Sequence, residues 1–125
     1  MTNKERSEAW EERVAQFAAR AISVCETLPD RIGSEHLRDQ LFRSATSVAA
    51  NYAEASVPES KKDFAHKLDI SLKELVESRM WIRIIAIKQY IDPASLQSLL
   101  SECNELIRIF HSSVITTRNH LSAEQ

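Results

Sequence analysis

Few side chains in this sequence have the type and spacing that chemistry requires. Asp63 and His66 form one Asp-x-x-His pair, which places a carboxylate and an imidazole on the same face of a helix. Di-iron bundles need a Glu-x-x-His on each of two helices, with further glutamates facing inward, and no second pair of this kind occurs. The other histidines, His36, His111 and His120, have no cysteine at ligand spacing. We therefore expect no metal ion and no cofactor.

The sequence also lacks the motifs of nucleophilic catalysis. It contains a single glycine, Gly33, so neither a Gly-x-Ser-x-Gly elbow nor a glycine-rich phosphate loop can exist. Both cysteines, Cys25 and Cys103, fall on apolar positions of helical patterns. This placement predicts buried free thiols rather than a disulfide or a reactive nucleophile.

Three glutamates, Glu54, Glu74 and Glu77, could form paired carboxylates on facing helices. Neither a metal motif nor a candidate base of another kind accompanies them. We interpret them as ion-pair partners of nearby arginines rather than as catalytic groups. The candidate arginines are Arg43, Arg79 and Arg83. No enzymatic activity and no small-molecule substrate are expected.

The elements that carry these side chains are helices within one domain, residues 1–125. One glycine and three prolines among 125 residues favour an all-α protein, since a sheet protein needs more turn residues. Ser34, a Ser60–Asp63 capping box and the Asp92–Pro93 pair are helix-start signals. The predicted helices are approximately 5–27, 34–56, 60–90 and 93–118, with residues beyond about 119 fraying. Short connections between long helices predict an antiparallel up-down-up-down four-helix bundle.

Each predicted helix carries apolar residues at gaps of mostly three and four, the pattern of a bundle seam. The predicted core positions are Trp10, Val14, Phe17, Ala21, Val24 and Leu28 in the first helix; Leu37, Leu41, Ala45, Val48, Tyr52 and Ala55 in the second; Phe64, Leu68, Leu72, Leu75, Ile82 and Ile85 in the third; and Leu96, Leu99, Cys103, Leu106, Phe110 and Val114 in the fourth.

The stretch "RSATSVAANYAEAS" in the second helix carries unusually little charge. Outside the core positions, it has a face of small side chains and a polar stripe. The small face holds Thr46, Ala49, Ala50 and Ala53, and the stripe holds Arg43, Ser47, Asn51 and Glu54. One interpretation is that the alanines only raise helix propensity on a solvated surface. The other is that a partner covers this helix on a second side.

The third helix favours the second interpretation. Its "MWIRIIAIKQYI" stretch points apolar side chains almost everywhere around the helix, more than one bundle core can bury. Ile107, Ile109 and Ile115 repeat this surplus on the fourth helix. We therefore expect homo-oligomerisation. The candidate interface residues are Ala49, Ala50, Ala53, Trp81, Ile84 and Ile87.

Two segments, "QLFRSATSVAANYAEAS" and "DFAHKLDISLKELVESRMWIRIIAIKQYID", resemble a known family. It is the bacterial four-helix-bundle family named after proteins encoded in intervening sequences of 23S ribosomal RNA genes, which also includes the accessory variability determinant protein of diversity-generating retroelements. The matching positions are Gln40, Leu41, Arg43, Ser44, Ser47, Val48, Asn51, Tyr52, Ala53 and Glu54, then Phe64, Ser71, Glu74 and Leu75. The family's next residue is glycine, whereas this chain has Ala55.

The resemblance covers about residues 10–118. It implies a homopentamer of bundles around a central channel, with no known catalytic activity. It also singles out a polar motif of Arg43, Ser47, Asn51, Glu54, Ser71 and Glu74. We predict a non-enzymatic, cytoplasmic homo-oligomeric scaffold that binds an unidentified macromolecular partner. An N-terminus too acidic for a targeting peptide and the lack of a long apolar run predict no membrane association.

The alternative is nucleic-acid binding, because the retroelement relatives are basic, bind nucleic acid and partner a reverse transcriptase. The net charge of this chain is −2, but residues 57–90 carry seven basic and five acidic side chains. Five copies of this segment around a ring would concentrate positive potential locally. The candidate contacts are Lys61, Lys62, Lys67, Lys73, Arg79, Arg83 and Lys88.

Overall fold

The structure, a computed structural model, describes residues 1–124. Its helices are α1 (Asn3–Thr27), α2 (Ser34–Ala55), α3 (Lys61–Ile87) and α4 (Pro93–Ala123). All regular secondary structure in this part of the chain is helical. The all-α prediction is therefore confirmed.

The four helices close into a ring in which each packs against two neighbours. α2 contacts α1 and α3, while α4 contacts α3 and α1. Polar contacts give the direction of the helices: Lys61 pairs with Glu124, and Arg79 donates to Asn104. Rising residue numbers on α3 thus meet falling numbers on α4. The antiparallel up-down-up-down bundle is confirmed.

Two helix starts differ from the prediction. α1 begins at Asn3 because Thr2 and Glu5 form a capping box, whose Thr-x-x-Glu spacing was already visible in the sequence. Ser34 is not the cap of α2. Gly33 occupies that position at φ 84°, a left-handed conformation that favours glycine, and the Ser34 hydroxyl instead accepts from the Arg31 N–H at 3.1 Å.

The Ser60 hydroxyl caps α3 as predicted, accepting from the Asp63 N–H at 3.0 Å. In a standard capping box the carboxylate would accept from the N–H of the cap residue, Ser60. Here the Asp63 carboxylate accepts from the N–H of the preceding residue, Glu59, at 3.2 Å. Asp92 caps α4 by accepting from the Ala94 N–H at 3.1 Å.

Two predicted helix ends are wrong. α3 stops at Ile87 rather than at 90, since Gln89 adopts a positive φ of 54°. The following Tyr90 turns away and donates its hydroxyl to the Ile32 carbonyl at 2.6 Å. α4 continues to Ala123 instead of fraying beyond about 119, and the residue that follows it, Glu124, pairs with Lys61 of α3 at 2.6 Å.

The core follows the predicted seams closely in α2 and α4, where every predicted position is buried. The first helix departs from its pattern. Val24 is only half-buried, whereas Ala18 and Cys25 are buried. Trp10 and Phe64, at the same end of the bundle, are also half-buried and pack against the rim of the core.

Three buried serines occupy the interface between α2 and α3. Ser78 donates to Ser44 at 2.7 Å, and Ser71 donates to the Val48 carbonyl at 2.8 Å. All three are fully inaccessible to solvent, so each depends on these partners. Their small size suits a close approach of the two helix backbones, and α2 and α3 form the most extensive contact between any two helices of the described chain.

Candidate functional site

A polar network on the surface joins α2 to α3 through Arg43. Its Nη1 donates to Glu74 at 3.1 Å, its Nη2 donates to Glu77, and its Nε donates to Gln40 at 3.3 Å. Glu77 also accepts from the indole N–H of Trp81 at 3.3 Å. The network therefore aligns the two helices and orients an aromatic ring on α3.

The remaining motif residues have separate partners. Asn51 donates to the Ser47 carbonyl one turn earlier at 2.9 Å, within α2. Glu54 pairs with Lys67 at 3.0 Å rather than with an arginine. Ser71 is buried and bonded to the α2 backbone, as described above. These six motif residues therefore serve local structure and α2–α3 pairing rather than one convergent site.

The outer face of α3 carries an apolar stripe that the rest of the described chain leaves uncovered. We call Val76, Met80, Ile84 and Ile87 the α3 stripe. Val76 is 42% exposed, Met80 48% and Ile87 73%, while Ile84 is half-buried. Their gaps of 4, 4 and 3 residues place them along one side of the helix.

The other predicted interface residues lie on two different surfaces. Trp81 is half-buried on the α2 side of the stripe, with its ring edge-on to His36 at a centroid distance of 5.7 Å. Ala50 and Ala53 are exposed on the outer side of α2, and Ala49 is half-buried against the core. The alanine face and the α3 stripe are therefore separate patches.

A groove between α1 and α2 forms another apolar surface. It encloses about 410 Å³, and half-exposed Phe42 and half-buried Ile22 contribute apolar walls. Two exposed carboxylates, Glu26 and Asp39, also line it, together with the half-buried Arg38, whose guanidinium donates to the Cys25 and Leu28 carbonyls. We call this the α1–α2 groove. Sequence reasoning did not find it, although the exposed Phe42 beside a core seam was a usable signal.

Most of the candidate nucleic-acid contacts already have protein partners. Lys61, Lys67 and Lys73 pair with carboxylates, and Arg79 donates to an amide oxygen. Lys62, Arg83 and Lys88 are exposed and form no ion pair within residues 1–124. The last two flank the α3 stripe, so positive charge borders this apolar surface.

The pKa shifts arise from ion pairing and burial. A hydrogen bond from Arg13 lowers the pKa of the Glu102 carboxyl, and the two side chains are joined at 2.7 and 2.9 Å. Burial raises the pKa of Cys103 to about 12 and also raises the pKa of Cys25 and of Tyr52. General acid–base catalysis needs a pKa near the working pH, and each of these shifts moves away from neutrality.

The structure places the two cysteines in the core and the Asp63–His66 pair in the first turns of α3. Cys25 and Cys103 are buried free cysteines. His66 is exposed, and Asp63 caps a helix. Within residues 1–124, no three His, Cys, Asp or Glu side chains come together as a metal site. No helix in the same range combines the length and apolarity needed to cross a membrane.

The fold and its surface thus define a four-helix-bundle protein whose notable features are uncovered apolar patches and interhelical polar pairs. The model of the 23S rRNA-intervening sequence protein family matches residues 5–112. The chain belongs to this family. The resemblance predicted from the motif residues is therefore confirmed.

A solved structure and the curated proteins complete the comparison. The chain is similar to a protein of unknown function from the S23 ribosomal protein family of Bacteroides thetaiotaomicron. The two are 27% identical with a TM-score of 0.75, and the similarity covers 86% of this chain and 96% of the other. No curated protein matches. The family and the similar structure agree with the four-helix fold, and the similar structure is of a protein of unknown function.

Proposed function

We propose that this protein is a non-enzymatic, cytoplasmic homo-oligomeric scaffold whose copies associate through the α3 stripe. The observation that carries the proposal is the exposure of Val76, Met80 and Ile87 on one face of α3. Contiguous apolar surface of this kind marks interaction sites in water-soluble proteins.

The α1–α2 groove is the proposed acceptor for the stripe of a neighbouring copy. Its Phe42 and Ile22 offer apolar contact. Its charged side chains, Glu26, Asp39 and Arg38, sum to one negative charge, opposite to that of the cations beside the stripe. Charge complementarity of this kind selects partner and register. The groove and the stripe lie on different helices, and α1 does not pack against α3.

An interface between two different surfaces is heterologous, and it yields a ring when the rotation between copies closes. The family resemblance supports five copies in that ring. A closed ring would leave no stripe uncovered and would present repeated surfaces to a macromolecular partner. Both features fit a scaffold better than a monomeric binding protein.

Sedimentation velocity of the purified chain tests this proposal. Five copies of the 14.2 kDa chain give a particle of about 71 kDa. The Ile87→Lys substitution places a charge in the stripe and should shift the population toward the monomer. Arg83→Glu should also weaken association, because it would face Glu26 and Asp39 with like charge.

Val57→Lys provides the matched control, since Val57 is 77% exposed in the α2–α3 connection and lies outside the stripe and the groove. It should sediment like the wild type. A 14.2 kDa monomer for the wild-type chain would overturn the proposal. If Ile87→Lys left the oligomer intact, the α3 stripe would not be the interface between copies.

A further inference from the structure

The end of the bundle where α1 and α3 begin contains a cavity that the scaffold function does not use. Its volume is about 690 Å³, and residues of α1, α2, α3 and the α2–α3 connection line it. Small-molecule sites in proteins typically enclose about 300–1,000 Å³. The cavity is therefore large enough for a small organic ligand.

Three aromatic side chains, Trp10, Tyr52 and Phe64, form its apolar walls. The same three rings also line an adjoining cavity of about 190 Å³. Tyr52 is held in place by stacking on Phe110 at a centroid distance of 5.6 Å, and Trp10 packs edge-on to the same ring at 6.2 Å. Phe110 covers one face of Tyr52, and the Arg13 guanidinium lies over the Trp10 ring at 5.2 Å, so a planar ligand would contact the remaining ring surfaces.

The charge of the lining is positive. Arg6 and Lys61 are the charged residues that line the cavity. The Glu11 carboxylate lies beside it, where it accepts from the hydroxyl of Ser56, a residue of the lining, at 2.7 Å. Lys61 shares its charge with Glu124 at 2.6 Å. The Arg6 guanidinium forms no salt bridge within residues 1–124, and in that range its one hydrogen bond is a 3.4 Å contact with the Met1 carbonyl. A guanidinium in this state can bind a ligand carboxylate, sulfonate or phosphate through two parallel hydrogen bonds.

We propose that this cavity binds a small planar aromatic molecule that carries one anionic group, with the ring between Trp10, Tyr52 and Phe64 and the anion on Arg6. The lining offers one uncommitted cation, which suits a single anionic group. Nucleic-acid backbones need several such cations along their length. The site does not depend on the α3 stripe or on oligomerisation.

Isothermal titration calorimetry with two matched probes tests the site on the wild-type chain. 2-Naphthoate carries the ring and the anion, whereas 2-naphthylmethanol carries the ring alone. We expect saturable binding of 2-naphthoate that is about 10-fold tighter than binding of the neutral probe, the effect of one charge-assisted contact. Absence of saturable 2-naphthoate binding, or equal affinity for both probes, would overturn the proposal without the use of any variant.

Two substitutions locate the binding. Arg6→Gln should abolish the preference for the anionic probe, while Arg108→Gln, at an exposed arginine outside the cavity, should retain it.

Trp10 and Trp81 are the two tryptophans of the chain, so their fluorescence can be measured separately. In a Trp81→Phe background, 2-naphthoate should change the emission of Trp10, and in a Trp10→Phe background the emission of Trp81 should stay constant. An unchanged preference in Arg6→Gln, or a response from Trp81 alone, would place the binding elsewhere.

Discussion

The α2–α3 seam and the α1–α4 seam are built from side chains of opposite size. Between α2 and α3, Ser44, Ser71 and Ser78 are buried, and the backbones run close together. Between α1 and α4, Trp10 meets Phe110 and the backbones approach over a much shorter length. Both seams also carry an arginine bonded to two glutamates at the surface.

This difference in side-chain size explains why α2 and α3 pack closely while a cavity lies beside the aromatic rings of Trp10 and Phe64. Serines fit close helices because their hydroxyls find backbone or side-chain partners within the seam. Large aromatic rings hold helices apart, and where the rings of Trp10 and Phe64 lie at the end of the bundle, a cavity remains beside them. One bundle thus combines a closely packed pair of helices with an accessible end whose walls are aromatic.

The largest effect is expected from Phe110→Ala, which removes the ring that meets Trp10 in the α1–α4 seam. Phe110 is buried and packs against both Tyr52 and Trp10. Loss of a buried Phe typically costs 3–5 kcal/mol, so we expect unfolding in urea to report a loss of about 4 kcal/mol. Ile115→Ala, at an exposed position, should cost about 0.5 kcal/mol. Equal losses would mean that the aromatic contacts do not stabilise this seam.

Ser78→Leu tests the α2–α3 seam and should lower the free energy of unfolding by about 3 kcal/mol. The larger side chain has no room between α2 and α3, and Ser44 loses its hydrogen-bond donor. Ser101→Leu is the control, because Ser101 is exposed on α4. Its effect should stay within about 0.5 kcal/mol. A Ser78→Leu protein as stable as this control would show that the seam can open without cost.

The smallest effect is expected at the ion pair between Arg13 and Glu102 in the α1–α4 seam. Arg13→Gln should cost about 1 kcal/mol, since Arg13 and Glu102 are partly shielded and joined by two hydrogen bonds. The pKa of Glu102 is lowered below its ordinary value of 4.5 in the folded protein. The ion pair of Glu102 therefore stabilises the fold fully at pH values above 4.5, and this stabilisation is lost as the pH falls through the lowered pKa of Glu102.

Acid titration of stability checks this sign. The wild type should lose more stability than Glu102→Gln as the pH falls from about 5 to about 3. Glu8→Gln serves as the control, because Glu8 lies in an exposed pair with Lys4 at 4.0 Å. It should follow the wild-type titration. A Glu102→Gln profile that coincides with the wild type would show that the pair adds nothing to stability.

The sequence predicted the fold and most of the core because both depend on local patterns. The apolar gaps on α4 identified all six of its buried seam residues, from Leu96 to Val114. On α1 the seam pattern placed Val24 in the core, but Val24 is half-buried, while Cys25 is buried as its apolar helical position predicted. A gap of 3 or 4 residues leaves this ambiguity, since a straight helix drifts relative to a 3.5-residue repeat.

The buried serines were the main omission in the core prediction. Ser78 fills the gap between Leu75 and Ile82, two predicted seam residues separated by seven positions. That gap was a usable signal, because a seam helix has a buried position at each intermediate turn. The pattern could not give the reason for a serine, since its hydrogen-bond partner Ser44 lies on another helix.

The sequence by itself determined the four helices, the sites of the three connections and the family, because capping residues, helix breakers and apolar periodicity act over a few neighbouring residues. Only the tertiary structure decided that Arg43 binds Glu74 and Glu77 while Glu54 binds Lys67. It also decided that three aromatic rings surround a cavity beside Arg6. Such contacts depend on the rotation and axial offset of whole helices, which local periodicity leaves free.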